Sequence, residues 1–262
     1  MRILSGAALF LAMTFSAQAA DPYAPPPPEV PDAVEARDII FDLGFGAQLQ
    51  PQFPSSQKYM TTPWPIAGLH FLRVPMIGDV VDGKPRVFSI YPAYDFTGER
   101  KESDAAYLAG TGKVDWSVEL GPGVAFRKGP IRAFAEIRYG LSGHNGFVGE
   151  AGVDFIANQF ARFEVRGGPR VSLATDDYMK TYFGVPVSAA VLDPYEPSGG
   201  FKDVGIEMQA LYRITDKLSL RGKASWRHYV GDAADSPIVK AGNQDEFVVG
   251  IGLSYLFGLD LY

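Results

Sequence analysis

Hydrophobic and polar residues alternate along most of this chain with a period of two. In residues 218–227 one set of alternate positions holds Leu218, Leu220, Gly222, Ala224 and Trp226, and the other holds Ser219, Arg221, Lys223, Ser225 and Arg227. Such alternation predicts a β-strand with one apolar and one polar face. Comparable segments lie at 38–49, 63–72, 86–95, 113–127, 131–142, 146–157, 161–174, 203–215 and 245–257. The pattern therefore predicts about ten strands.

The connections between these segments alternate in length. Tight turns are expected at 128–129, 158–159 and 216–217, and longer links at 96–112, 175–202 and 231–244. Short turns on one rim and long loops on the other are typical of a closed antiparallel transmembrane β-barrel, with the turns in the periplasm and the loops outside. The link 175–202 is rich in aromatic residues, so we expect either a functional loop or a lid over the barrel mouth.

The polar faces of these strands carry charges of both signs. A Lys or Arg that faced lipid at the bilayer midplane would cost about 2–4 kcal/mol, so we expect the charged faces to point into the lumen. A barrel of about ten strands is too narrow for the open channel of a general porin, and interlocked ion pairs are expected to fill it. The predicted lumen charges are Asp42, Asp115, Glu119, Glu136, Glu150, Asp154, Glu164 and Glu207 with Arg132, Arg138, Arg162, Arg166, Arg213, Arg221, Lys223 and Arg227.

A soluble barrel with its apolar face inside is the alternative arrangement. Two features disfavour it. Aromatic residues near the strand ends suit the interfacial girdles of a membrane barrel, and the glycines and serines of the polar face would make a poor apolar core. The girdle candidates are Trp116, Tyr139, Tyr212, Trp226 and Tyr255.

The first residues of the chain predict export. Arg2, an apolar run over residues 3–15 and the sequence Ala17-Gln18-Ala19 form a signal peptide, which we place at residues 1–20. Residues 21–37 are Pro-rich and are interpreted as a periplasmic tether, and residues 38–262 as the barrel. The 262 residues include no cysteine, so neither a disulfide nor a lipidated cysteine is expected. The net charge of −6 argues against nucleic-acid binding. The predicted location is the outer membrane of a Gram-negative bacterium.

Candidate catalytic chemistry is sparse. The three histidines, His70, His144 and His228, lack metal-ligand spacing. Ser236, Asp232 and His228 are close enough in sequence to suggest a lipid hydrolase, but no G-x-S-x-G motif surrounds the serine. We therefore predict a protein that is not an enzyme and has no cofactor, no metal site and no cofactor-binding residues.

Several longer stretches resemble the MipA/OmpV family, named after the MltA-interacting protein. They are YLAGTGKVDWSVELGPG (107–123), DDYMKTYFGV (176–185), GGFKDVGIEMQALYRITDKLSL (199–220) and GDAADSPIVK (231–240). The segment PQFPSSQKY (51–59) departs from the family pattern. The family-motif residues in the loops are Tyr178, Tyr182, Phe183, Gly184, Asp232, Asp235, Ser236 and Pro237.

The resemblance implies an outer-membrane barrel that acts as a scaffold for murein synthesis. Its implied partners are outer-membrane lipid, a lytic transglycosylase and a bifunctional murein synthase. Two other functions stay open at this point. A narrow selective porin would conduct ions in planar bilayers, and a lipid-active enzyme would release a product that disappears in Ser236→Ala or His228→Ala variants.

Overall fold

The computed structural model describes residues 38–74, 78–82, 88–160 and 162–260. The predicted signal peptide (1–20) and Pro-rich tether (21–37) lie outside the described residues, so both stay predictions.

The described residues form one antiparallel sheet of eleven strands. Ten strands contain ten or more residues, and β3, which the sequence pattern did not predict, has five. The strands are β1 (Ile39–Pro51), β2 (Tyr59–Val74), β3 (Gly78–Asp82), β4 (Phe88–Thr97), β5 (Ser117–Lys128), β6 (Ile131–Gly140), β7 (Phe147–Phe160), β8 (Phe163–Ala174), β9 (Gly200–Arg213), β10 (Leu218–Tyr229) and β11 (Asp245–Leu259).

The order of the strands in the sheet is β3-β2-β1-β11-β10-β9-β8-β7-β6-β5-β4. The first and last long strands pair with each other, with Gly46 opposite Gly252. Every other pair consists of strands that are consecutive in the chain. β3 and β4 lie at the two ends of this order, and no ladder joins them within the described residues.

Three predicted boundaries are wrong in informative ways. β5 begins at Ser117 rather than at residue 113, because Val114 instead forms an isolated bridge with Arg100. The turn predicted at 158–159 lies inside β7, which continues to Phe160. β9 begins at Gly200, and the link before it, 175–199, contains helix α1 (Asp176–Phe183). The link before β11 contains α2 (Gly231–Asp235) and α3 (Pro237–Ala241).

The two faces of the sheet differ as the alternation predicts. Phe45, Ile90 and Ile251 lie on the convex face with 67%, 72% and 62% of their surfaces exposed. The charged positions lie on the concave inner face, where Asp42, Glu119 and Asp154 are buried. The inverted soluble barrel is therefore wrong. None of the described helices is long and apolar enough to span a membrane.

Glycines on the inner face allow the sheet to curl tightly. A Cβ added at Gly123 would lie 2.5 Å from the Tyr91 ring, and one added at Gly252 would lie 2.8 Å from the side chain of Ile66. Tyr91 thus packs against the bare backbone of the neighbouring strand β5, and Ile66 reaches past β1 to the backbone of β11.

Buried apolar residues are concentrated at the rim that carries the long loops. We call this region the loop cap; it comprises loops 52–58, 98–116, 141–146, 175–199 and 230–244 with the strand ends they join. Its larger cluster contains Val114, Val148, Ala174, Tyr178, Met179, Tyr182, Phe183, Tyr229, Ala233 and Val239, and its smaller cluster Phe53, Leu108, Val185 and Ile238. The sheet therefore holds polar groups inside, and the cap holds the apolar core.

The exposed apolar belt predicts a test of membrane insertion. Ile251 lies near the middle of β11 on the convex face, so Ile251→Lys should destabilise the protein folded in lipid vesicles by about 2–4 kcal/mol. Urea unfolding in vesicles, followed by the gel mobility of the folded form, measures the change. Val187→Lys is the matched control, because Val187 is 88% exposed in the cap. Equal effects of the two substitutions would contradict a lipid-facing belt.

Candidate functional site: the charged inner face and the loop cap

Arg227 joins strands that are not neighbours in the sheet. Its guanidinium Nη2 lies 2.8 Å from Glu150 Oε2 on β7, and Nη1 lies 3.3 Å from Asp203 Oδ1 on β9. Lys202 Nζ is 3.3 Å from the other oxygen of Asp203. Lys202 and Asp203 both point inward because β9 has a bulge here: Ser172 pairs with Asp203, and Leu173 pairs with Phe201.

A second group of ion pairs surrounds Asp154. Its two carboxylate oxygens accept from Arg170 at 2.5 Å and from Arg132 at 3.0 Å. Both guanidinium groups also lie over the ring of Phe134, 4.8 and 4.9 Å from its centroid. Arg132 stacks in addition on Tyr91 at 5.3 Å. Two cations on one partly buried ring, each held by the same carboxylate, make this part of the inner face densely filled.

A third group connects the inner face to the cap. Arg138 pairs with Glu136 and, at 3.0 Å, with Glu119, and Glu119 lies 3.2 Å from His144 Nε2. His144 Nδ1 accepts from the backbone N–H of Gly146 at 3.1 Å. Because Nδ1 acts as an acceptor, this pattern assigns the neutral tautomer with its proton on Nε2.

Nearer the short-turn rim, the cations of the inner face have partners of several kinds. Arg221 lies 2.5 Å from Asp42 and donates to Ser254, but Arg166 donates to the amide oxygen of Gln209 at 2.6 and 3.1 Å. The ammonium group of Lys223 lies 5.6 Å from the Trp64 ring centroid.

The remaining predicted lumen residues lie apart from these groups. Asp115 precedes β5, is 65% exposed and pairs at 2.6 Å with Lys113, so the structure places it in the cap instead of the lumen. Arg162, Glu164 and Arg213 lie at the short-turn rim. Glu207 faces inward, 3.7 Å from Arg170.

Helix α1 is packed into the cap against the inner face. Tyr178 and Tyr182 stack edge-on against His144, with ring centroids 4.8 and 5.6 Å away, and Phe183 contacts Tyr229. Burial raises the pKa of both tyrosine hydroxyls, so these phenols stay neutral. The link 175–202, predicted to be either a functional loop or a lid, therefore contains a helix with a buried aromatic face.

Arg100 fixes the carboxyl end of α1. It is 2% exposed, and its two terminal nitrogens donate to the carbonyls of Tyr182 at 2.7 Å and Thr181 at 3.3 Å. These carbonyls have no partner inside the helix, and the negative end of the helix dipole favours a cation there. Burial lowers the pKa of the guanidinium, but an arginine remains charged. The cap thus contains a buried cation held by carbonyl groups.

The family-motif residues hold the three helices of the cap together. Ser236 Oγ donates to the carbonyl of Phe183 at 2.6 Å and accepts from the N–H of Ile238, and Pro237 is the first residue of α3. Gly184 ends α1. Asp232 accepts from the N–H of Ser198 at 2.8 Å, and Asp235 pairs with Lys240 at 3.2 Å.

The residues considered for lipid hydrolysis are not brought together. The Ser236 hydroxyl is buried and caps α3, whereas His228 Nδ1 lies 2.8 Å from Asp245 beside Trp226. No cluster of three potential metal ligands occurs among the described residues.

The family model of MltA-interacting protein MipA matches residues 43–257, which is most of the chain. This chain belongs to the MipA family. Family membership and the amphipathic antiparallel sheet together support an outer-membrane barrel protein. No curated protein matches the chain.

Solved structures of bacterial outer-membrane proteins match the MipA-family chain over most of its length. The N-terminal β-barrel domain of Pseudomonas aeruginosa OprF is 6% identical, with 84% of this chain and 98% of that chain covered, at a TM-score of 0.30. P. aeruginosa OprG is 10% identical, with 85% and 97% covered, at 0.30. The CymD monoaromatic hydrocarbon channel is 9% identical, with 87% and 90% covered, at 0.37. Such low values carry no conclusion about function.

The sequence pattern missed several residues that organise this MipA-family site. Arg100 and His144 lie in loops, where no periodicity reveals their burial. Lys202 departs from the alternation because of the bulge. Arg170, by contrast, alternates with its neighbours in the sequence, and the period-two signal places it on the charged face of β8, where the structure has it.

Arg100→Gln should loosen α1. Loss of the charged donors to two helix carbonyls should destabilise the docked helix by about 1–3 kcal/mol. Tryptic cleavage after Lys180 should therefore be faster than in the unchanged protein, by a factor between about five and about a hundred. Digestion of the folded protein in detergent, followed by mass spectrometry, measures the rate. Lys240→Gln, at an exposed ion pair in the same cap, should leave it unchanged. Identical rates in both variants would show that Arg100 does not hold the helix.

Proposed function

We propose that this protein is a closed outer-membrane β-barrel that acts as a non-enzymatic scaffold, with the loop cap outside and the short-turn rim in the periplasm. On this proposal it brings a lytic transglycosylase together with a bifunctional murein synthase. Membership of a family named for interaction with MltA carries the proposal. The orientation follows the usual arrangement of outer-membrane barrels, which have short periplasmic turns and longer outer loops.

Closure of the barrel would occur between β2 and β4. The Tyr94 hydroxyl on β4 donates to the carbonyl of Pro65 on β2 at 3.1 Å, although the two strands lie near opposite ends of the sheet order. Pro63 and Pro65 lie within the regular ladder to β1. A proline cannot donate to a ladder, so each ring nitrogen is expected on the edge away from β1, and a seam with β4 would lack these two backbone donors. Direct contact of β2 with β4 would also remove edges that hydrocarbon does not tolerate.

The filled interior favours a scaffold over a pore. Ion pairs among β5, β6, β7, β8, β9 and β10 occupy the inner face, and the cap packs α1 and its aromatic residues above them. The narrow selective porin remains the alternative function. Planar bilayers distinguish the two: a scaffold is expected to give no steady conductance, whereas reproducible channel steps of one size would favour the porin.

The geometry at Ser236 supports a function without catalysis. A nucleophilic serine needs a general base within hydrogen-bond reach, but the hydrogen bonds of the Ser236 hydroxyl go to the carbonyl of Phe183 and the N–H of Ile238. We expect Ser236→Ala to cost about 1 kcal/mol of cap stability through the lost helix cap. Release of a fatty acid or a lipid A product by the purified protein would contradict the scaffold.

The scaffold predicts contacts on one rim of the barrel. A photo-reactive residue in place of Lys128 or Lys217, which are exposed beside the β5–β6 and β9–β10 turns, should cross-link a lytic transglycosylase in intact cells. The same residue in place of Lys240 in the cap is the matched control and should not. Mass spectrometry of the purified adducts identifies the partner. Adducts with the transglycosylase from the cap position alone, or from none of the three, would contradict the proposed surface.

A further inference from the structure

The inner face is polarised along the barrel axis. Among the described residues, the half near the short turns carries the cations Arg127, Arg132, Arg162, Arg166, Arg213, Arg221 and Lys223 against Asp38, Asp42, Asp154 and Glu164. The half near the cap carries Asp95, Glu119, Glu136, Glu150, Asp203, Glu207 and Glu246 against Arg138, Arg170, Lys202 and Arg227. The short-turn half therefore has an excess of positive charge, and the cap half has an excess of negative charge.

Two cations of the short-turn half have neutral partners. Arg166 directs Nε and Nη2 at one amide oxygen of Gln209, and Lys223 lies over the Trp64 ring. Among the described side chains, neither cation is within ion-pair distance of a carboxylate. Arginine binds a carboxylate through two parallel hydrogen bonds that are stronger than those to an amide. Gln209 thus occupies a position that a carboxylate ligand would fill better.

Toward the long loops, these groups are covered by other parts of the molecule. The ion pairs around Asp154 and Glu150, and above them the loop cap, close the inner face toward the long loops. Arg166 lies three residues beyond the start of β8 at the short-turn rim, and both Arg166 and Lys223 keep part of their surface exposed. An anion would therefore enter from the short-turn side, and the negative half above would stop it from passing through.

We propose that a group of residues in the short-turn half binds the carboxylates of murein peptide stems. This group, which we call the vestibule, consists of Arg166, Gln209, Lys223 and Trp64. The proposal rests on the orientation given under the proposed function, because murein lies on the periplasmic side. It extends the proposed function: besides protein partners, the barrel would hold the polymer on which those partners act.

Trp64 supplies a direct readout of binding. It is the only one of the three tryptophans placed on the inner face, and Trp116→Phe with Trp226→Phe leaves it as the sole indole fluorophore. The purified full-length protein in detergent is titrated with soluble disaccharide-tetrapeptide fragments of murein. We expect a saturable change in Trp64 fluorescence that weakens as salt increases. Fragments with amidated carboxylates should not produce it.

Single substitutions then locate the site. Arg166→Gln and Lys223→Gln should each raise the dissociation constant about tenfold or more, the effect of losing one charge-assisted contact. Lys113→Gln, in the exposed part of the cap, should leave it unchanged. Each variant is first checked for the gel mobility of the folded barrel.

Any one of four results would contradict binding at the vestibule. They are no saturable change in Trp64 fluorescence with the folded protein, equal affinities of all variants for the fragments, equal binding of amidated fragments, and equal or tighter binding of an unrelated oligoglutamate.

The binding experiment and the cross-linking experiment can fail independently. Fragment binding without cross-linking of a transglycosylase would count against the scaffold alone, and cross-linking without fragment binding would count against the vestibule alone.

Discussion

Hydrocarbon cannot solvate a charge, and this constraint organises the whole chain. A Lys or Arg that faced the bilayer midplane would cost about 2–4 kcal/mol, which is a large part of the stability of an ordinary domain. The sheet therefore turns its charged face inward, where each cation has to find a partner. Arg227 on β10 does so through Asp203 on the adjacent β9 and through Glu150 on β7, a strand with which β10 shares no ladder. The inner ion pairs thereby hold the curvature that keeps the apolar face outside.

The same constraint explains why the apolar core lies in the cap. In a soluble domain the core forms between the layers of the sheet or sheets, but here the inside is occupied by charges and the outside by lipid-facing side chains. Apolar side chains are therefore buried mainly in the loops, where α1, α2 and α3 pack together around Tyr182 and Phe183. The cap therefore packs its aromatic helix against the long-loop end of the inner face. On our proposal, the ion pairs of the inner face suit a barrel that presents surfaces better than one that conducts solutes.

Much of the fold could be predicted from the sequence because a period of two is a strong signal in long strands. It correctly separated the convex Phe45 and Ile251 from the inner Asp42 and Glu119. It failed where local geometry departs from a regular strand. The alternation in the sequence includes Asp115. In the structure, however, Val114 forms an isolated bridge with Arg100 and β5 begins only at Ser117, so Asp115 lies outside the strand. The bulge at Lys202 and the buried loop cation Arg100 depend on tertiary contacts that no pattern contains.

The proposed barrel depends on closure of the sheet at a seam between β2 and β4, since a lipid-facing belt tolerates no open strand edge. The chain has no cysteine, so a double variant with Pro65→Cys and Tyr94→Cys reports on this seam alone. A disulfide needs Cα atoms within about 7 Å. We predict that the pair oxidises in the membrane-inserted protein, measured as loss of maleimide labelling. A control pair of Pro65→Cys and Ile206→Cys should stay reduced. Two free thiols at the seam of a folded protein would contradict closure there.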